Sequence, residues 1–340
     1  MRMNFHDQTL LYVGVPREGE TSLYRMLALE RLGFKVTPFD ISAAQSRGVL
    51  GKIEYRLKAG PGIARMNHRL SALVENAGCF DVIWVDKGRM VWSEVVDLLR
   101  RAARRYFIHY TPDAQFMLYE SRHFNASLHQ YDAVITTKGY EIEEYRRRGA
   151  QRVVYATQSF LRERFDDLPS SARSGIALIS RGEAHYQNTA LELAAAQLPI
   201  RWHRATKSRL SIGNHGSLEI TEGVWGKDYP QALAKAQIGL GVLTKLVPDT
   251  HTTRSFEIPA AGAMLLAERT DEHREFFREG QEADFFSSSA EMVDKASFYL
   301  RNPETAQRIA DAGRARCHRD GRDDFSTLMR TWQALLNRSS

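Results

Sequence analysis

The sequence predicts an α/β protein built of two tandem halves, each a parallel sheet wound with helices. Two observations carry that expectation. Short strand-like apolar runs alternate with helical patterns along the chain, and the alternation breaks once, near residue 165, before starting again. The length agrees, because 340 residues exceed what one core usually organises.

Leu10-Leu11-Tyr12-Val13-Gly14-Val15 reads as a buried strand, and Leu23, Met26 and Leu27 recur at helical spacing between Ser22 and Leu32. Gly33 stops that helix, and Lys35 to Phe39 opens a second strand. Further strands are expected at 81–85, 106–110, 133–137 and 152–155, and residues 52–69, KIEYRLKAGPGIARMNHR, form a basic stretch. From Leu161 to Gly175 the chain reads LRERFDDLPSSARSG, polar and punctuated by Pro169, which marks a linker. The first domain is therefore set at 1–165 and the second at 172–318. In the second, strands are expected at 176–179, 201–203, 238–243 and 263–267, with helices at 187–197 and 229–236. Phe325, Leu328, Met329, Trp332 and Leu335 share one helical face, so 319–340 is expected to be a helix packing back toward the N-terminal domain.

Composition is ordinary for a globular chain, 43% hydrophobic and 26% charged. There is no run of about 18 to 20 apolar residues, and MRMNFHDQ lacks the apolar stretch of a secretory signal. A cytoplasmic protein is expected; the basic stretch 52–69 reads first as a solvated face, with peripheral contact at the inner membrane face as the alternative. Cys79 and Cys317 have no partners at metal-ligand spacing, which predicts two packed thiols and neither a disulfide framework nor a zinc site. The net charge of +6 suits an anionic partner. No motif organises that charge for nucleic acid, and Arg146-Arg147-Arg148 reads as a solvated face.

Ligands of open α/β sheets bind beyond the carboxyl ends of strands. The most informative such loop runs from Thr244 to Gly262. Thr252 or Thr253 is expected to cap a short helix starting near Arg254, whose free N–H groups would suit a diphosphate. Glu257, one turn in, offers two acceptor oxygens suited to paired ribose hydroxyls.

Arg254-Ser255-Phe256-Glu257-Ile258-Pro259-Ala260-Ala261-Gly262-Ala263-Met264-Leu265-Leu266 resembles the R-x-F-E-x-P-A-x-G-A-x-L-L signature of CgeB-like glycosyltransferases, relatives of the retaining group 1 enzymes. The likeness extends over about residues 175–318. It implies a GT-B fold, two Rossmann-like domains facing an interdomain cleft, with the nucleotide-sugar donor on the second domain and the acceptor on the first. By the same resemblance Glu257 binds the donor ribose, Thr252, Thr253 and Arg254 hold its phosphates, Arg181 contacts the diphosphate, and residues 223–226, Gly226 included, line the nucleobase pocket. Asp249 stands eight positions before Glu257, where retaining relatives often carry an acidic residue. Relatives often have a lysine five residues after the phosphate arginine; this chain has Tyr186, so either Lys245 supplies the missing charge or the diphosphate is held differently.

On the acceptor side the strand-end loops offer Gly19, Thr21, Lys87 and Lys138, with His109 or Asp113 as the group that orients or deprotonates the acceptor hydroxyl. The expected activity is metal-independent sugar transfer from a nucleotide sugar to a hydroxyl acceptor, a glycan, glycolipid or protein glycan, with retention implied by the resemblance. No cofactor is expected, and no D-x-D cluster is placed to hold a metal. Two rivals stay open: a nucleotide-sugar epimerase of the same fold, and a non-catalytic surface or spore-type protein that keeps the fold. A dinucleotide dehydrogenase is disfavoured, because PREGETS after the first strand carries one glycine where the G-x-G-x-x-G fingerprint needs three.

Overall fold

The computed structural model describes residues 5–46, 48–168, 172–205 and 216–337; Pro169, expected in the linker, lies outside them. The chain divides into two compact units, Met1–Thr157 with Asp324–Ser340, and Gln158–Asp323.

Unit 1 contains β1 (Thr9–Gly14), α1 (Thr21–Arg31), β2 (Lys35–Asp40), α2 (Gly48–Leu57), α3 (Pro61–Ala77), β3 (Phe80–Asp86), α4 (Ser93–Ala102), β4 (Ala103–Thr111), α5 (Arg122–Ser127), β5 (Ala133–Thr136), α6 (Ile142–Arg147) and β6 (Val153–Tyr155). The strands pair in parallel in the order β2-β1-β3-β4-β5-β6. Both faces of this sheet are covered, so its central strands are continuous apolar runs. Leu11, Val13, Ile83 and Val85 point into one core cluster, and Leu10, Tyr12, Val82 and Trp84 into the other.

Unit 2 contains β7 (Ile176–Ser180), α7 (Ala184–Ala195), β8 (Ile200–Arg204), β9 (Leu218–Glu222), α8 (Asp228–Ala234), β10 (Ile238–Gly241), α9 (Arg254–Ala260), β11 (Met264–Glu268), α10 (Asp271–Phe276), β12 (Asp284–Phe286), α11 (Ser289–Arg301) and α12 (Pro303–Arg319). Its six strands are parallel in the order β12-β11-β10-β7-β8-β9. The last helix, α13 (Asp324–Leu336), belongs to unit 1. There Leu328, Trp332 and Leu335 join the second core cluster, and the Trp332 ring lies 5.3 Å from Phe34 and 5.1 Å from Phe5. Arg152 closes the end of α13 by donating to the carbonyls of Leu335 at 2.8 Å and Ala334 at 2.6 Å.

The unit boundary falls earlier than the polar composition of 161–175 implies. Phe160 and Phe165 are fully buried with Phe256, Phe276, Phe277 and Phe285, and the Phe160 N–H bonds the Arg322 carbonyl at 3.2 Å. Two buried aromatic rings outweigh their charged neighbours and tie residues 158–168 to unit 2. The expectation that both cysteines are packed holds for Cys317, whose thiol pKa burial pushes up, but Cys79 is exposed.

Each sheet reverses its strand order once, between β1 and β3 in unit 1 and between β7 and β10 in unit 2. These reversals open crevices at the carboxyl ends of the strands. In unit 2 the crevice is framed by the turn after β7, which begins at Arg181, and by the segment from Val242 into α9. That helix packs hard onto its sheet: a Cβ on Gly239 would come within 2.5 Å of the Ile258 side chain, so the close approach requires glycine in β10.

Candidate functional site

In unit 2, α9 presents Arg254 at its first position and Glu257 one turn later. The structure brings these two together with Tyr229 of α8. Glu257 is 9% exposed, and its Oε2 accepts a 2.6 Å hydrogen bond from the Tyr229 hydroxyl. Its Oε1 has no partner among the described residues and is not among the fully buried orphan atoms. Tyr229 is itself half-buried. Burial first, then the Glu257 charge, raises its pKa well above the usual phenol value, so the hydroxyl stays a donor to the carboxylate. The Arg164 guanidinium lies 5.4 Å from the Tyr229 ring and donates to the Gly226 carbonyl. Gly226 adopts φ +51, beside Trp225, which is 66% exposed.

The Arg254 side chain makes no hydrogen bond or ion pair among the described residues, while its charge acts on both Tyr186 and Tyr229. The expected threonine cap is not formed: Thr253 has helical backbone angles and no side-chain cap. Ser255 supplies a local bond instead, its Oγ accepting from the Thr252 N–H at 3.1 Å and pairing with His273 Nε2 at 2.8 Å. The N–H groups of Thr253 and Arg254 are left without acceptors among the described residues. One uncompensated guanidinium and two open amides stand one turn from a carboxylate with an open oxygen.

The loop leading into α9 is held firmly. His251 is 2% exposed; its Nε2 accepts from the Gln158 N–H at 2.9 Å, so its hydrogen resides on Nδ1, which donates to Glu272 at 2.8 Å. Thr250 also donates to Glu272, and the Thr270 hydroxyl donates to the Thr250 carbonyl at 2.8 Å. Asp249 is half-buried in the same loop, its N–H on the Val247 carbonyl at 2.8 Å.

Arg181 is exposed directly after β7. Its carbonyl accepts from Ser180 Oγ at 2.9 Å, and that oxygen accepts from the Trp202 indole at 2.8 Å. Tyr186 is a core residue rather than a phosphate contact. Lys245 pairs with Glu268, whose other oxygen accepts from the Leu243 N–H at 2.9 Å. A cavity of about 460 Å³ beside it is lined by Lys245, Glu268, His185 and Ser287, but not by Arg254 or Glu257. The structure thus groups Arg254, Glu257 and Gly226 through Tyr229 and Arg164, and gives Lys245 a protein carboxylate of its own.

In unit 1 the strand ends carry Lys87, Asp113 and Lys138. Asp113 Oδ2 lies 3.2 Å from Lys87 Nζ and 3.3 Å from Arg89. Burial raises the Asp113 pKa, but Lys87 and Arg89 outweigh it and hold the carboxyl below its ordinary value. Lys138 is buried and adds to the same field. Gly19 makes the left-handed turn before α1 at φ +87, and Thr21 opens that helix, exposed.

His109 is a correction. It has no exposed surface, its Nε2–H is spent on the Lys87 carbonyl at 2.9 Å, and its ring packs 4.4 Å from Phe124. Burial lowers its pKa to about 4. An imidazole enclosed in this way reaches no acceptor, so its part is to tie β4 to the loop after β3. The crevice between β1 and β3 is likewise occupied by the protein's own groups. Arg25 holds Asp86 through bonds of 2.7 and 3.0 Å, the Tyr12 hydroxyl donates to Asp86 at 2.5 Å, and Arg25 lies 4.4 Å from the centre of the Tyr110 ring.

Sequence reasoning missed Tyr229, Arg164, Arg89 and Arg25 as parts of these clusters. Tyr229 precedes Glu257 by 28 positions, and no periodicity links them. Only the position of Arg25 on the first helix after β1 offered a signal.

Solved structures resemble the whole chain. Sucrose-phosphate synthase from Thermosynechococcus elongatus aligns with TM-score 0.66 and 12% identity over 98% of this chain and 100% of that one. Anabaena HepE in complex with UDP aligns with TM-score 0.65 and 14% identity over 96% and 99%. An alpha-glucosyltransferase in complex with UDP-glucose and DNA containing an abasic site aligns with TM-score 0.69 and 10% identity over 97% and 99%. The fold is GT-B. Within this GT-B chain, residues 182–322 match the family described as glycosyl transferase-like. That segment contains Tyr229, Lys245, Arg254 and Glu257 and begins immediately after Arg181. No protein of curated function matches the GT-B sequence.

Proposed function

We propose that this protein is a glycosyltransferase whose donor is a nucleotide sugar bound in unit 2. The observation that carries the reading is the start of α9: an unpaired Arg254 and two open N–H groups, one turn from a Glu257 oxygen that faces no protein partner. A diphosphate suits the first two and a ribose diol suits the third. HepE and the alpha-glucosyltransferase, which share the fold, carry UDP and UDP-glucose, so uridine diphosphate is the nucleotide proposed here. Trp225 and Gly226 would flank its base. The run from Arg254 to Leu266 supports a place among CgeB-like transferases.

When the glycosidic bond breaks, negative charge develops on the departing diphosphate, and groups preorganised at that position lower the barrier. Arg254, Arg181 and the amides of residues 253 and 254 are assigned that work, without a metal. The acceptor hydroxyl is assigned to the strand-end loops of unit 1, with the ionised Asp113, rather than His109, as the carboxylate that orients it. Gly19, Thr21, Lys87 and Lys138 are the proposed acceptor-side contacts, and Asp249 is kept as a donor-sugar contact. Retention of configuration is part of the proposal on the strength of the CgeB-like signature alone.

A thermal-shift comparison of UDP, GDP, ADP, CMP and dTDP tests the donor site, because a ligand that binds only the folded form raises its melting temperature. UDP is expected to give the largest rise, and Glu257→Ala to abolish it. A variant that responds like the wild type would remove Glu257 from the site. Release of UDP from UDP-glucose, measured with and without glycan or lipid-linked acceptors, then tests transfer.

A further inference from the structure

Helix α2 of unit 1 is turned inside out relative to an ordinary surface helix. Val49, Leu50, Ile53 and Leu57 are 74%, 51%, 49% and 63% exposed. At a helical spacing of i, i+1, i+4 and i+8 they form one apolar arc facing solvent. The residue that α2 buries is Glu54. Its Oε1 accepts the Gly62 N–H at 2.9 Å, and it lies so close to the start of α3 that a Cβ on Gly60 or Gly62 would come within 2.5 or 2.6 Å of its side chain. The helix is therefore anchored by its one carboxylate and presents its hydrophobic arc outward.

The exposed charge of α2 and the first turns of α3 has one sign. Lys52 and Arg56 adjoin the apolar residues one turn apart, and Arg65 and Arg69 are exposed on the first turns of α3. From residue 41 to residue 74 the sole acidic side chain is Glu54, and it is buried and bonded inward. An exposed apolar patch rimmed by polar residues marks an interaction surface. The uniform positive rim selects among partners. A second copy of the same face would bring like charges together, whereas an anionic headgroup layer neutralises them and receives the apolar side chains at its boundary with the acyl chains.

We infer that α2 and the start of α3 dock this protein on an anionic phospholipid bilayer, with Val49, Leu50, Ile53 and Leu57 inserted and Lys52, Arg56, Arg65 and Arg69 on the headgroups. The inference does not depend on the sugar-transfer reading, since none of these residues belongs to either cluster described above.

The test is co-sedimentation of the full chain with vesicles of phosphatidylcholine alone or with about 30 mol% phosphatidylglycerol, at about 0.1 M and about 0.5 M salt. The wild type is expected on the anionic vesicles at low salt, with less bound at high salt. Lys52→Glu/Arg56→Glu and, separately, Ile53→Ser/Leu57→Ser should each weaken binding at least about tenfold. Both pairs should keep the wild-type melting temperature, because the altered side chains point away from the core. Wild-type protein left in the supernatant at low salt would overturn the proposal, as would charge-reversed protein that binds like the wild type. A wild-type mass that doubles at micromolar concentration and reverts in Ile53→Ser/Leu57→Ser would assign the face to a second copy and overturn it equally.

Discussion

The Tyr229 hydroxyl donates to Glu257 Oε2 across 2.6 Å, which ties one oxygen of the carboxylate to α8 and leaves the other without a partner among the described residues. A carboxylate clamped in this way is preorganised: binding a diol costs it little rotamer freedom.

Removing the clamp should therefore weaken the ligand without removing a ligand contact. Tyr229→Phe is expected to reduce UDP affinity about five- to thirtyfold, about 1 to 2 kcal/mol, a part of what one half-buried hydrogen bond to a charged group is worth. Glu257→Ala should cost more than Tyr229→Phe. Titration calorimetry of UDP against the three proteins measures both. Equal affinities for Tyr229→Phe and wild type would mean that the hydroxyl plays no part in holding the carboxylate for a ligand.

Two basic residues that look interchangeable in the sequence are in different electrostatic states in the structure. Arg254 has no counter-charge bonded to it among the described residues, whereas Lys245 is already paired with Glu268. Arg254→Ala is expected to lower UDP affinity about ten- to a hundredfold while leaving uridine affinity within about twofold, because its loss is a charge-assisted phosphate bond. Lys245→Ala should change UDP affinity by less than about threefold, since it removes a cation already neutralised within the protein. The reverse ranking of the two variants would move the phosphate to the cavity beside Lys245 and Glu268.

Much of this arrangement was legible beforehand, for identifiable physical reasons. The central strands were readable because both faces are buried, which leaves uninterrupted apolar runs such as Leu10–Val13 and Val82–Val85. Strand β9, Leu218–Glu222, was not, because it is a largely exposed edge with polar residues. Strand β12 is three residues long and begins with an aspartate, too little for a pattern. Helices α2 and α3 look in the sequence like a basic stretch alone, since glycines interrupt them and the apolar arc of α2 faces outward. Glu257 stands out in the sequence because it sits in a dense local motif. Its partner Tyr229 was invisible because the fold, and no local spacing, joins α8 to α9. His109 was misread as a site residue for the opposite reason: a polar side chain at a strand end has the same sequence appearance whether it faces a ligand or closes a core.

That misreading leads to a measurable pH dependence. His109 in unit 1 and His273 in unit 2 are both buried, and burial lowers each imidazole pKa from 6.5 to about 4. Protonating His109 would place a charge on a buried Nδ1 that has no partner. Protonating His273 at Nε2 would disrupt the bond that this nitrogen accepts from Ser255, because its Nδ1–H is already donated to the Glu268 carbonyl at 2.7 Å. The folded pKa values lie below the unfolded value, so between pH 6.5 and about 4 the unfolded chain binds more protons than the folded one. Stability from these two groups is complete above pH 6.5 and falls as pH drops through that window, by about 1.4 kcal/mol per pH unit for each histidine. Urea unfolding followed from pH 7 to pH 4.5 should show this decline, and His273→Gln should make it shallower by roughly one histidine's share. The glutamine keeps a polar side chain at the position but does not titrate. A variant whose stability falls with the wild-type slope would show that His273 does not take up its proton on unfolding, and the enclosure described for it beside Ser255 and Phe285 would be wrong.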